Sequence, residues 1–375
     1  MVKRRGNNEG SIYRRKDGYW VGQYGIQTPK GIKTRYIYGK RREDVREKLA
    51  KAIADRDGGL VYDAGNMTVG EYLDRWLNDS VRNTVRRRTW ERYEQFVRVH
   101  LTPALGKIKV AKLTPAHVCG LYRDRLDSGL APRTVLHIHR AFSKALKQAV
   151  ADGLIPRNPA APVKPPQPRQ EEIRPLNREQ VRALFEAASG NRLEALYVVA
   201  VTAGLRRGEL QGLKWDDLDL EAGMLQVRRT LSEPKGGYIF EAPKSGKGRS
   251  IRLTRKATLA LREHRKRQLE ERIQKAGLWQ EQGLVYPSGV GTPLSGGNLN
   301  RTFKATLQRA GLPKSTRFHD LRHTCATLLL KQGVNPKFVQ ELLGHADISL
   351  TLNVYSHVLP DMGDAAAGAM GAALA

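Results

Sequence analysis

The sequence predicts a multidomain protein, mainly α with small β-sheets, of the α+β class. Three observations carry that expectation. Short, aromatic-rich alternating runs open the chain and lead into one helical pattern. Residues 66–155 then keep helical apolar spacing throughout. A proline-rich stretch separates them from a C-terminal part in which a few strand-like runs sit among helices. At 375 residues the chain has room for two or three domains of ordinary size, and its 40% hydrophobic residues suffice for their cores.

Residues 1–62 are expected to form a three-stranded sheet backed by one helix. Ser11 to Lys16 and Tyr19 to Ile26 read as strands joined by the turn signal Lys16-Asp17-Gly18, with Ile32 to Tyr38 as the third. Alternation along the third strand places Lys33 and Arg35 on one face and Tyr36 and Tyr38 on the other. Glu43 to Arg56 follows, with Val45, Leu49, Ala52 and Ile53 at helical spacing. In residues 66–155, Thr68-Val69-Gly70-Glu71 has the form of a capping box and opens a helix with Tyr72, Leu73, Trp76 and Leu77 on one face. Further helices are predicted over Arg86 to Leu101, Thr114 to Leu126 (Pro115 at its first position) and Pro132 to Ala151. Six prolines between Pro156 and Pro168 mark residues 156–172 as an extended linker. In residues 173–360, Asn177-Arg178-Glu179-Gln180 caps a helix and Leu193 to Ala203 continues a helical core. Leu225 to Leu231, Tyr238 to Glu241 and Ser250 to Leu253 read as strands, and helical patterns run on from Lys256. An Ala/Gly-rich tail occupies residues 361–375.

The charge narrows the function. Against 37 Asp and Glu stand 65 Lys and Arg, a net +28. Such a balance favours an acidic polymer, nucleic acid or an anionic membrane. No run approaches the ~20 apolar residues needed to span a bilayer. The first 25 residues hold no apolar stretch before a small-residue cleavage site, so neither membrane nor secretion is expected, and the cytoplasm of a bacterial cell is. Two cysteines, Cys119 and Cys325, allow neither a disulfide framework nor a Cys-rich zinc site. The charge is also spread, +8 over residues 1–65, +11 over 66–170 and +9 over the remainder. Double-stranded DNA gripped along the whole chain fits this better than a basic tail. Arg14, Arg15, Lys16, Lys33 and Arg35 interleave with Tyr and Trp, as in a sheet laid into a DNA groove. Arg82, Arg86, Arg87, Arg88, Arg92 and Arg98 suit phosphate contact more than a merely solvated helix face.

Common enzyme signatures are missing. There is no GxxxxGK[ST] loop for ATP, and His319 and His323, four apart, lack the glutamate of an HExxH zinc helix. Nor does an acidic cluster suggest paired Mg²⁺ ions. A nucleic-acid enzyme with this sequence is expected to need neither metal nor cofactor.

Three segments do stand out. They are Thr202-Ala203-Gly204-Leu205-Arg206-Arg207-Gly208-Glu209-Leu210, then Phe318-His319-Asp320-Leu321-Arg322-His323-Thr324, and Leu342-Leu343-Gly344-His345 with Asn353-Val354-Tyr355-Ser356-His357 after it. In order and spacing they resemble the T-x-G-x-R-x-x-E, H-x-L-R-H and L-L-G-H…Y elements of the tyrosine recombinase (phage integrase) family. The resemblance covers residues 173–360 in detail. Residues 66–155 are similar to the family's core-binding domain, and residues 1–62 look like its arm-site DNA-binding domain.

The resemblance implies an enzyme that cleaves and rejoins DNA through a 3′-phosphotyrosyl link, integrating and excising a phage or conjugative element. Tyr355 matches the nucleophile, and Arg206 and Arg322 the two arginines that grip the phosphate. His319 matches the proton acceptor or relay, His345 a phosphate donor, and Lys244 in Pro243-Lys244-Ser245-Gly246-Lys247 the general acid. Arg207 is a rival to Arg206 and Lys247 to Lys244. Glu209 reads as the structural partner of a nearby arginine, and His323 and His357 as packing or capping residues. A homotetramer on core and arm attachment sites is implied, with an excisionase and a DNA-bending host factor as further partners. The tail is either unstructured or a short helix that docks on a neighbouring protomer. Two alternatives remain, a type IB topoisomerase and a non-catalytic DNA-binding regulator. His319, where topoisomerases commonly carry lysine, opposes the first, and the intact site set opposes the second.

Overall fold

The N-terminal strands pair as the alternation requires. A computed structural model describes residues 10–28, 31–57, 66–169, 174–244, 246, 248–348 and 362–374. Strands β1 (Ser11–Arg14), β2 (Trp20–Thr28) and β3 (Gly31–Gly39) form an antiparallel sheet in that order, followed by α1 (Arg42–Asp57). The register sets Ile12 and Ile37 beside Gly22. A Cβ at Gly22 would lie 2.9 Å from Val45 of α1, so this is the face the helix covers. Alternation puts Arg14, Lys33 and Arg35 on that same side. The other face presents the exposed rings of Tyr13, Tyr36 and Tyr38. Along β3 the basic and aromatic residues therefore separate by face, whereas Trp20 and Tyr24 of β2 lie on the basic side.

Residues 66–169 carry a helical core of their own. Thr68 Oγ1 accepts from Glu71 N and the Glu71 carboxylate accepts from Thr68 N at 2.8 Å, closing the expected capping box of α2 (Val69–Arg75). The chain continues through a wider turn at Trp76–Val81 to α3 (Arg87–Phe96), a second wide turn at Val97–Leu101, α4 (Thr102–Leu105), α5 (Pro115–Asp127) and α6 (Pro132–Ala151). Tyr72, Leu73, Leu121, Ile138, Phe142 and Leu146 fill the core. The arginines of α3 and of the wide turn after it are exposed but less isolated than composition suggests. Arg87 pairs with Glu91 at 3.5 Å and Arg98 with Glu94 at 2.7 Å. The start of the proline-rich stretch is packed as well, since Ala160 and Val163 are buried in this core and Asn158 donates to Ser143 O. Contacts divide the chain into two units, Met1–Arg169 and Gln170–Ala375.

The second unit is built around α8 (Glu194–Ala203), in which every residue from Ala195 to Val201 is buried. A helix apolar on all sides belongs inside a core. Before it comes α7 (Arg178–Ala188), capped by Asn177 Oδ1 accepting from Gln180 N at 2.8 Å. After it come α9 (Arg207–Gln211), β4 (Leu218–Asp219), β5 (Met224–Val227), β6 (Thr230–Ser232), β7 (Ile239–Glu241), β8 (Arg249–Arg252), α10 (Arg255–Gln274), α11 (Gly296–Arg309), α12 (Asp320–Lys331) and α13 (Pro336–Leu343). The strands make an antiparallel sheet β4-β5-β8 and a separate hairpin β6-β7. Leu225 to Leu231, expected as one strand, is thus two. The break falls at Arg228 and Arg229, where Arg229 turns to the buried Asp217 carboxylate at 2.6 Å and β6 leaves to pack on α9. The tail forms a helix, α14 (Met362–Leu374), with Met370 and Leu374 exposed.

One polar cluster lies deep in this unit. His264 on α10 donates through Nε2 to Val285 O at 2.6 Å, while Gln268 accepts from Trp215 Nε1 and donates to Leu284 O. Burial pushes the His264 pKa down to about 4, against the smaller upward pull of the Val285 bond. The folded protein therefore binds fewer protons than the unfolded chain between about pH 4 and 6.5, and stability must fall as pH drops through that window. His264 should account for about 3 kcal/mol of the loss between pH 7 and pH 4. Urea unfolding at a series of pH values should show a shallower acid limb in His264→Gln than in the parent.

Candidate active site

The site grows from the ends of three helices. Gly204 terminates α8 in the left-handed region at φ +62°, and a Cβ there would lie 2.6 Å from Leu343 and 3.2 Å from the Cys325 sulfur. Only glycine suits both the backbone and the space. Arg206 follows in extended conformation as the residue before α9, and Glu209 reaches back to it. Glu209 Oε2 accepts from Arg206 N and Oε1 from Arg206 Nη1, each at 2.9 Å.

Arg322 sits in the first turn of α12 and is only 3% exposed. That turn is held by Asp320, whose carboxylate accepts from Arg317 N at 2.7 Å. A guanidinium so deeply buried needs acceptors. It finds them in Gly204 O at 2.8 Å and Leu343 O at 2.6 Å.

α13 closes the arrangement. Gly344 takes φ +63°, and His345 N donates back to Gln340 O at 3.1 Å while Gln340 Nε2 donates to His345 O. This glycine-terminated end explains Leu342-Leu343-Gly344-His345 and fixes where His345 departs. The last carbonyls of a helix lack partners inside it and carry its partial negative charge. Here three guanidiniums supply the partners on successive residues. Arg249 Nε donates to Leu342 O at 2.7 Å, Arg322 Nη2 to Leu343 O, and Arg206 Nη2 to Gly344 O at 3.0 Å.

Three arginines and one buried carboxylate leave a net positive cluster, and the neighbouring histidines respond to it. Burial first, then Arg322 and Arg206, hold the His345 pKa down at about 4. His323 is likewise lowered to about 4, by burial and then by His319. The His319 ring, 5.0 Å from that of His323, is solvent-accessible yet closely surrounded, and its pKa is lowered by partial burial and by Arg322. Around neutral pH His323 and His345 are uncharged. Burial alone would raise the Glu209 pKa, but hydrogen bonds from Arg249 and Arg206 outweigh it and hold the carboxylate ionised.

Arg206, His319, Arg322 and His345 are thus in one neighbourhood. Arg207 points elsewhere, its guanidinium packing beside Gly296 and Glu233 at the start of α11. Lys244 is exposed on the turn between β7 and β8, and among the described residues no hydrogen bond or ion pair joins it to the arginines. Tyr355, Lys247 and His357 lie outside the described residues. Arg14, Lys16, Lys33, Arg86, Arg87 and Arg88 are exposed in the first unit and Arg35 is partly covered. Arg249 was not foreseen. Its only sequence signal is a basic residue opening a strand after the lysine-bearing turn. Among the described residues no group of His, Cys, Asp and Glu is arranged to hold a metal ion, and no helix is long and apolar enough to cross a membrane.

Comparison with known proteins gives the family. Residues 174–362 match the phage integrase family, and residues 68–125 match the phage integrase N-terminal SAM-like domain. A tyrosine recombinase XerC-like protein of Caldanaerobacter subterraneus subsp. tengcongensis is 32% identical over 344 residues, covering 86% of this chain and 88% of its own. An integrase of Saccharopolyspora erythraea is 28% identical over 411 residues, 94% of each chain. Among solved structures, the Tn1549 transposon integrase in complex with a circular intermediate DNA superposes with a TM-score of 0.69 at 24% identity, over 81% of this chain and 99% of that one. A lambda integrase dimer bound to a COC′ core site superposes with a TM-score of 0.59 at 23% identity, over 77% and 95%. The structures establish a shared fold. The chain belongs to the phage integrase family, the tyrosine recombinases that cleave and rejoin DNA in recombination and integration.

Gly204 offers a direct check on the packing. Gly204→Ala should cost about 2–4 kcal/mol, from a left-handed alanine and overpacking against Leu343. Gly190 also has positive φ, at +72°, but nothing lies within 4 Å of a Cβ there. Gly190→Ala should therefore cost only about 1–2 kcal/mol in the same denaturant titration.

Proposed function

We propose that this protein is a site-specific recombinase that integrates and excises a phage or conjugative element, with Tyr355 as nucleophile and without metal or ATP. The observation that supports this most is the convergence of Arg206 and Arg322 on the end of α13 beside His345. Each guanidinium is oriented by a backbone carbonyl and a second acceptor before any phosphate arrives. Preorganised donors of this kind stabilise the charge that builds on a phosphate in the transition state.

The chemistry divides among the residues as follows. Attack by Tyr355 on the phosphorus forms the 3′-phosphotyrosyl bond and releases the 5′-oxygen. A phenol of ordinary pKa is ionised to about one part in a thousand at pH 7, so His319 takes its proton. Arg206, Arg322 and His345 donate to the non-bridging oxygens. A neutral His345 donates without adding to the repulsion between the arginines. Lys244 protonates the leaving 5′-oxygen. The covalent link conserves the energy of the broken bond, so rejoining needs no nucleotide. Glu209 is saturated by Arg206 and Arg249, which leaves it unsuited to bind a cation.

In this reading residues 1–62 bind arm sites, 66–155 the core site, and 173–360 carry the chemistry, joined by the 156–172 linker. Arg14, Lys16, Lys33, Arg35, Arg86, Arg87 and Arg88 contact DNA, and four protomers assemble on two duplexes in the bacterial cytoplasm. An excisionase and a DNA-bending host factor set direction, and the tail helix docks between protomers.

The test is a nicked suicide duplex carrying the attachment core, incubated with protein in EDTA without ATP. A covalent adduct should form and should vanish in Tyr355→Phe; absence of adduct on every cognate site would overturn the proposal. Arg206→Ala and Arg322→Ala should each slow adduct formation roughly 10²–10³-fold. DNA affinity should fall steeply with salt, as counterion release requires.

A further inference from the structure

We propose that Arg249, the first residue of β8, is a positioning residue for the phosphate-binding groups, acting through Glu209 and the end of α13. The proposal rests on the reading of Arg206 and His345 as those groups. Arg249 is nearly enclosed, its side chain 10% exposed, and each of its three nitrogens has a fixed acceptor. Nε donates to Leu342 O at 2.7 Å, Nη1 to Glu209 Oε1 at 3.2 Å and Nη2 to Glu209 Oε2 at 2.8 Å. Its guanidinium also lies against Gly344, where a Cβ would meet Nη1 at 3.1 Å.

The consequence follows from what Glu209 does with its other lone pairs. The same two oxygens accept from the backbone and the guanidinium of Arg206. One carboxylate, its side chain 1% exposed, thus joins two arginines, and each arginine also holds a carbonyl at the end of α13, Leu342 O or the capping Gly344 O. The result is a closed ring of contacts, from Arg249 to Glu209 to Arg206 to Gly344 and back through Leu342. Neither Arg206 nor the residue preceding His345 can shift without stretching a bond to this ring. With Arg249 removed, Glu209 keeps a single guanidinium and is free to rotate toward it. That draws Arg206 off the phosphate and leaves Leu342 O without its donor.

Lysine cannot substitute fully, because one ammonium on a longer, freer stem does not reproduce a planar fork that meets a carboxylate and a carbonyl together. A role in positioning predicts a specific kinetic pattern. The bound complex should react more slowly while DNA binding, set mainly by surface cations, stays the same.

The experiment measures single-turnover cleavage of the suicide duplex by the full chain, at saturating protein, alongside DNA affinity and thermal midpoint. Arg249→Met should lower the saturated rate roughly 10–100-fold, with the DNA Kd within about twofold. Arg249→Lys should recover only part of it. Added guanidinium ion should raise the rate of Arg249→Ala and leave the parent unchanged. Glu209→Gln should lose rate in the same way, and the double variant Arg249→Met with Glu209→Gln should lose much less than the product of the two. An unchanged saturated rate, a loss confined to Kd, or independent multiplicative losses would each overturn the proposal. If Arg249→Met does not fold, Arg249→Lys is read on the same axes, and full parental rate in it overturns the proposal. A parent protein that forms no adduct refutes the recombinase reading itself. A parent that cleaves normally beside an Arg249→Met that also cleaves normally refutes only the role of Arg249.

Discussion

The C-terminal end of α13 is the constraint on which the catalytic unit depends. Helix ends present carbonyls with nothing inside the helix to receive, and a buried end must find donors from elsewhere. Here the donors are guanidiniums from β8, α12 and the residue ahead of α9. The need to satisfy α13 and the need to fix the arginines meet in the same hydrogen bonds. Gly204 and Gly344 allow this by ending α8 and α13 in the left-handed region, so that the two ends can lie against each other.

Concentrating three positive charges has an electrostatic cost that the unit meets in two ways. Glu209 lies between two of them, and the helix end contributes its partial negative charge to all three. His323 and His345 add nothing to the repulsion, because burial, with His319 beside the first and the arginines beside the second, keeps both uncharged around neutral pH. What remains is a positive field inside a rigid frame, suited to an anion that arrives already charged.

Local chemistry was legible from residue types, and contacts between distant segments were not. The capping residues Thr68 with Glu71, and Asn177 with Gln180, could be read because both partners lie within one turn. The Arg206, His319, Arg322 and His345 neighbourhood could be read because the resemblance supplied the long-range pairing that spacing alone does not. The break between β5 and β6 could not, since it accompanies a pairing of Arg229 with Asp217, on the far side of β4 and β5. The sorting of β3 followed from alternation, but which face α1 would cover depended on Val45 meeting Gly22. Arg249 escaped notice for a simple reason. Two of its partners are oxygens of a glutamate forty residues away, and the third is a main-chain oxygen, which no residue type announces.

That last point bears on how this site tolerates change over time. Leu342, Leu343 and Gly344 hold the arginines through backbone atoms, so the identities of the two leucines matter to the core and not to the grip. Apolar exchange at those positions can drift without disturbing the charges. An insertion or deletion inside α13 is another matter, because each added residue turns the helix by about 100° and advances it by about 1.5 Å. All three carbonyls would leave their guanidiniums together. The length of α13 is therefore under a stricter constraint than its composition.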